Sequence, residues 1–103
     1  MVDTLETLSG NGQAVEPGEP FAPLAVQVLE QGSPVGGAVV SYFVQDAQAT
    51  GTDFHGGSPV RVTTAVDGTA VTDVPLIAGG SPGSVLVEAV ADGSRCSFDI
   101  TVR

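Results

Sequence analysis

The sequence predicts an all-β domain, an antiparallel β-sandwich of about seven to nine short strands. Three observations lead there. Apolar residues recur with period 2, the pattern of strands buried on one face. Turn signals separate these runs: the 103 residues include 14 glycines and 7 prolines. No window carries the 3.6-residue apolar spacing of an amphipathic helix.

Length allows one domain, spanning residues 1–103, and 42% apolar residues suffice for its core. A chain of this size buries somewhat over ~60% of its unfolded surface, so no disulfide is needed. None is available within the chain either, because Cys96 is the only cysteine.

In order along the chain, residues 4–8 read as a first edge strand, followed by a turn at Gly10-Asn11-Gly12. Pro17, Gly18 and Pro20 break the chain again. Residues 23–30 alternate, with Leu24, Val26 and Val28 on one face. Gln31-Gly32-Ser33-Pro34 is a turn. Residues 38–45 place Ala38, Val40, Tyr42 and Val44 inward, and Val39, Ser41 and Phe43 outward. Residues 46–58 are the least regular stretch and read as a long loop, with a short edge strand open near 49–54. Residues 60–65 form a strand. Asp67-Gly68 marks a hairpin, and residues 69–76 return with Ala70, Thr72, Val74 and Leu76 aligned. Pro75 marks an edge or a strand end. Gly79-Gly80-Ser81-Pro82-Gly83 is a turn. Residues 84–91 and 94–102 form the last hairpin around Asp92-Gly93, with Cys96, Phe98, Ile100 and Val102 sharing one face.

Charge narrows the function. Twelve acidic residues against three arginines, with no lysine, give a formal net charge of −9. Arg61, Arg95 and Arg103 make no basic footprint for nucleic acid or for anionic lipid. The apolar runs are only a few residues long, too short for a spanning helix. The start, Met-Val-Asp-Thr-Leu-Glu, lacks the basic and apolar regions of a secretory signal. The expectation is a protein that stays where it is made, or a module cut from a longer exported chain.

Four blocks resemble the bacterial immunoglobulin-like domains of the invasin/intimin type. Ser9-Gly10-Asn11-Gly12-Gln13 is similar to that family's opening Ser-Gly-X-X-Gln. Leu24 to Val28, followed by Gly32-Ser33-Pro34-Val35-Gly36-Gly37-Ala38, resembles its second strand and Pro-Val-X-Gly turn. Thr64-Ala65-Val66-Asp67-Gly68-Thr69-Ala70 is similar to its Thr-X-X-X-Gly-X-Ala segment. Gly79 to Ala89 resembles its penultimate strand and entry turn. The 46–58 loop has no family pattern, and Tyr42 stands where Phe is commoner. The resemblance implies an immunoglobulin-like Greek-key sandwich used as a spacer, stalk or adhesive module. It implies a setting on a bacterial surface within a larger chain, or on a phage or similar particle assembled in the cytoplasm. It transfers no catalytic residue.

The candidate chemistry is correspondingly thin. His55, Asp53 and Ser58 lie near one another but without the pattern of a nucleophilic triad. Asp46, Asp53 and Glu30 could gather at one end of the sandwich, but no calcium-loop spacing is present. Asp67 and Asp92 are explained by turn geometry. Gly36-Gly37, Gly56-Gly57 and Gly79-Gly80 precede strands, so no helix N-terminus cradles phosphate. One Tyr and four Phe are too few for a sugar cleft. Cys96 reads as a small buried hydrophobe. No enzyme and no cofactor are expected, beyond weak adventitious calcium. Phe43, Phe54 and His55 are the candidate partner contacts, because aromatics concentrate at interface centres. The expected function is a non-catalytic structural or interaction module that meets protein partners, neighbouring domains or its own copies. The alternative is a recognition module that binds carbohydrate or protein through the 46–58 loop.

Overall fold

The computed structural model describes residues 4–46, 48–57 and 59–103. Its strands, in chain order, are β1 (Thr4–Ser9), β2 (Ala14–Val15), β3 (Ala25–Glu30), β4 (Ser33–Pro34), β5 (Val39–Gln45), β6 (Asp53–Phe54), β7 (Val60–Thr63), β8 (Thr69–Val71), β9 (Leu76–Ile77), β10 (Gly83–Ala91) and β11 (Ser94–Val102). Four of these are two-residue pieces, and the remaining seven are the strands that the periodicity marks out. One sheet joins β1, β3, β4 and β8 around the central β3. The other runs β2-β11-β10-β5-β7, antiparallel except for the parallel pair β2 and β11. A small antiparallel pair, β6 and β9, closes one end.

The first strand leaves its sheet through the Ser9 to Gln13 motif. Gly10 has φ +98°, and a Cβ there would come within 2.7 Å of the Leu24 side chain. Only glycine fits both demands. Asn11 Oδ1 accepts from Asp99 N–H at 2.8 Å, and Gly12 N–H donates to the Asp99 carbonyl at 2.8 Å. The Gln13 amide clamps one backbone residue from both sides: it accepts from Ala22 N–H at 2.7 Å and donates to the Ala22 carbonyl at 3.1 Å. Thr101 N–H then donates to the Gln13 carbonyl, and Arg103 N–H to that of Val15. The chain therefore climbs beside β11 in the same direction. Thr4 pairs with Leu29, at the pole that carries the Gln31-Gly32 and Asp92-Gly93 turns. Arg103 lies at the opposite pole, with Asp46 and residues 48–57. The molecule measures 40 × 18 × 18 Å.

The inward residues of the two sheets form one core. Leu24, Val26 and Val28 face Val40, Tyr42, Val85, Val87, Ala89, Phe98 and Ile100. Tyr42 crosses it. Its register partner on β10 is the small Ala89, and its hydroxyl donates to the Ala70 carbonyl of the opposite sheet at 2.7 Å. Phe98 and Phe54 flank the ring at centroid distances of 6.3 and 6.5 Å. Burial pushes the phenol pKa up, so the hydroxyl stays a donor across all ordinary pH.

Three sequence expectations change. Residues 69–76 are not one strand. β8 ends at Val71 in the first sheet, and the chain crosses through Thr72–Pro75 to β9 beside β6. Pro75 has no N–H to continue a ladder, and Thr72 turns its hydroxyl to accept from Leu24 N–H at 3.0 Å. The Asp67-Gly68 turn is not a hairpin: β7 and β8 belong to different sheets, so it arches across the sandwich. Asp67 Oδ1 binds Thr69 N–H and hydroxyl, at 3.1 and 2.6 Å. Gly68, at φ +80°, sits where a Cβ would come within 2.7 Å of the Val28 carbonyl. The open strand near 49–54 shrinks to β6. Asp92-Gly93 is the expected hairpin, with φ +50° and +82° as a type I′ turn requires.

Tyr42→Phe is expected to keep the fold and lower unfolding free energy by about 1 kcal/mol, as for one lost internal hydrogen bond. Urea melts of both proteins check this. Gly68→Ala is expected to cost more, about 2 kcal/mol, because strain and the Val28 carbonyl both oppose the new methyl.

Candidate functional site

The irregular loop gathers at the Arg103 pole around one carboxylate. Asp46 follows directly on β5. Its Oδ1 accepts from Thr50 N–H at 2.9 Å and from the Thr50 hydroxyl at 2.8 Å, and its Oδ2 accepts from Gly51 N–H at 2.7 Å. Because Thr50 donates to the carboxylate, its oxygen accepts from the Thr52 hydroxyl, 2.8 Å away. The Thr52 oxygen in turn accepts from Gly79 N–H at 3.0 Å. Both threonines are buried, and the anion at the end of this relay sets the direction of every hydroxyl in it. Burial pushes the Asp46 pKa up, but the bonds from Thr50, Gly51 and Thr52 outweigh it and hold the carboxyl below its usual value.

Asp46, Thr50, Gly51 and Thr52 are thus tied to one another by hydrogen bonds. Phe54, expected as a surface anchor, is a correction: its ring is 2% exposed and packs against Tyr42 as part of the core. β6 turns it inward because its pairing with β9 places Phe54 opposite the buried Leu76. His55 stands next to it and is exposed, its N–H donating to the Pro75 carbonyl at 2.8 Å. Ala47 and Ser58 lie outside the described residues, so the neighbourhood of His55, Asp53 and Ser58 is described only for the first two. Asp46 and Asp53 line one shallow hollow of about 290 Å³ with Val44, Gly51 and Thr52. Glu30 does not join them, because it ends β3 at the other pole. Asp53 Oδ1 accepts from Phe54 N–H at 2.8 Å. Among the described residues, no group of three or more His, Cys, Asp or Glu side chains could hold a metal ion.

A second hollow, of about 280 Å³, lies between Pro20, Phe21 and Pro23 on one side and Val74, Pro75 and Leu76 on the other. Asp73 is the one charged residue that lines it among those described. Cys96 is half-buried beside the core, and burial pushes its thiol pKa up, which lowers its thiolate fraction.

Phe43 is different. It points outward from β5, 38% exposed, on the outer face of the five-stranded sheet. Its neighbour across β10 is Glu88, which pairs with Arg95 at 3.3 Å. Arg61 lies on β7 opposite Ser41. Of the three residues read as partner contacts, the structure keeps Phe43 and His55 at the surface and separates them. Phe43 is on a sheet face, and His55 is at a pole.

The fold is that of an immunoglobulin-like β-sandwich. The chain is similar to a solved structure described as the D00-D0 domain of intimin, with a TM-score of 0.64 and 16% sequence identity. The similarity covers 98% of this chain but only 45% of that one. No family model and no curated protein matches the chain.

The relay at Asp46 has a pH signature. A carboxyl held below its usual pKa contributes its full stability above that value and loses it as pH falls through the lower, folded one. The protection of the Thr50 and Gly51 amides, taken relative to their intrinsic exchange rates, should therefore fall in acid, below the ordinary aspartate range. In Asp46→Asn the protection should be lower at neutral pH already, with that acid step gone. Hydrogen-exchange NMR at several pH values reads both.

Proposed function

We propose that this chain is a non-catalytic spacer and interaction module, one rigid bead in a larger assembly. The observation that supports this best is the placement of Thr4 and Arg103 at opposite poles of a molecule 40 Å long. A domain entered at one pole and left at the other lengthens any chain that contains it. Two sheets braced across a shared core resist bending within the bead. The similarity to the D00-D0 domain of intimin agrees with such a use, in a surface protein or in a particle. The interior also argues against chemistry: the polar groups that it buries, on Thr50, Thr52, Thr64 and Thr72, are tied to backbone or to each other. Contact with partners falls to the outer surface, and Phe43 is the aromatic best placed to make it.

The spacer reading is tested by length. Two copies joined by a short linker should give a maximum dimension about 40 Å greater than one copy, by small-angle X-ray scattering. A tandem protein that folds back, with no gain in length even when Arg95→Asp in both copies disturbs the outer face of the five-stranded sheet, would reject the reading.

A further inference from the structure

Charge is unevenly distributed over this molecule. Its total is −9, yet the outer face of the five-stranded sheet is balanced. Arg61 and Arg95 point outward there, as do Glu88 and Asp99, and two of the chain's three cations are thus on this face. The excess of acid lies elsewhere, mostly at the poles. Glu30, Asp67 and Asp92 sit at one, and Glu16, Glu19, Asp46, Asp53 and Asp73 at the other.

The register gives this face an internal symmetry. The row Phe43–Glu88–Ser97 runs across β5, β10 and β11. Along β11, Arg95 and Asp99 stand two residues on either side of Ser97. Along β10, Val90 and Leu86 stand two residues on either side of Glu88, and along β5, Ser41 and Gln45 flank Phe43 in the same way. A two-fold axis lying along the central row would exchange the members of each pair. It would set Arg95 against Asp99 of a second copy, Val90 against Leu86, and Ser41 against Gln45. Phe43 would meet its own counterpart. Glu88, which also lies on the axis, pairs with Arg95 of its own chain at 3.3 Å, so that Arg95 would stand between Glu88 and Asp99 of the second copy.

We infer that the outer face of the five-stranded sheet is a two-fold interface for a second copy of this chain, centred on Phe43 and pinned by Arg95 against Asp99. A self-complementary patch is what an isologous contact requires. The neutrality of this face selects a copy as occupant: here two molecules of net charge −9 can meet without pressing an excess of acid against itself. The distant acids still repel, over about 8–10 Å at physiological salt. The dimer should therefore strengthen as salt rises from very low to moderate concentration.

The inference extends the interaction-module reading. Its two-fold sets the copies antiparallel, so two tandem copies could fold onto this face. A tandem that is compact in the native form but lengthens with Arg95→Asp in both copies supports the interface. One that stays compact with that substitution rejects the spacer reading alone. Sedimentation equilibrium over a range of protein concentrations and salt should show a monomer–dimer equilibrium for the native chain. Arg95→Asp makes two like-charged contacts per dimer, and Asp99→Arg does the same with the opposite sign. Each variant alone should dimerise about a hundredfold more weakly, roughly tenfold per contact. Mixed in equal amounts, the two should recover association. In the mixed dimer, position 95 of each chain again faces an opposite charge at position 99 of the other. Asp99→Arg should leave the melting temperature of the monomer unchanged, and Arg95→Asp, which breaks the exposed pair with Glu88, should lower it only slightly. A native chain that stays monomeric at every concentration and salt overturns the interface and leaves the spacer reading standing. So does a dimer that both substitutions leave intact, or a mixture that fails to recover.

Discussion

The Tyr42 bridge sets the width of the sandwich. Two sheets pack about 10 Å apart when ordinary side chains interleave. Here one residue spans that gap and ends in a hydrogen bond to the backbone of the other sheet. The requirement reaches outward. Ala89 is small so that the ring has room beside it on its own sheet, and Ala70 is small so that the hydroxyl can reach its carbonyl. Phe98 and Phe54 fill the two sides. A larger residue at either alanine would force the sheets apart or turn the ring out. The spacing of the sheets and the choice of small residues at these two positions are thus one constraint, seen from both sides.

The ends of the sandwich obey a different rule. Wherever the chain changes sheet, it leaves backbone groups without a ladder, and a short polar side chain takes their place. Gln13 does so where β1 gives way to β2. Thr64 accepts from Ala38 N–H and donates to the Val35 carbonyl at the arch between β7 and β8. Thr72 meets Leu24 N–H where β8 leaves its sheet, and Asp46 organises the longest loop. Each is a local replacement for a missing strand neighbour. Together they explain how a domain with one cysteine and few aromatics closes both ends without a disulfide.

The period-2 pattern exposes most of the architecture because it reports a constraint felt by every strand. Leu24, Val26 and Val28 on β3, or Val85, Val87 and Ala89 on β10, face inward wherever the strand is placed. It cannot show which sheet a strand joins. The Asp67-Gly68 turn has the composition of a hairpin, and the local geometry is indeed tight, but the partner of β8 is β3, about forty residues earlier in the chain. Two-residue strands such as β2, β6 and β9 carry too few positions for a period to appear. Phe54 is opaque for the same reason: among glycines, nothing in the sequence distinguishes an aromatic that caps a core from one that waits for a partner. Phe43 is legible because it alternates with Val40, Tyr42 and Val44, whose inward direction fixes its own.

The placement of charge ties the spacer reading to the sheet face. Acidic residues at both poles mean that successive beads in a tandem chain meet acid to acid, which opposes end-to-end stacking at low salt. The repulsion holds the poles of successive beads apart. It also leaves the sides of each bead as the surfaces on which contact is least opposed. Of these, the first sheet presents an edge strand, β1, of which only Leu5 is part-buried, with Glu6 among its outward residues. The second presents the balanced face around Phe43. An elongated molecule that repels at its ends and is neutral on one flank is suited to lateral association between neighbouring strings, and its charge pattern opposes the same contact made end to end.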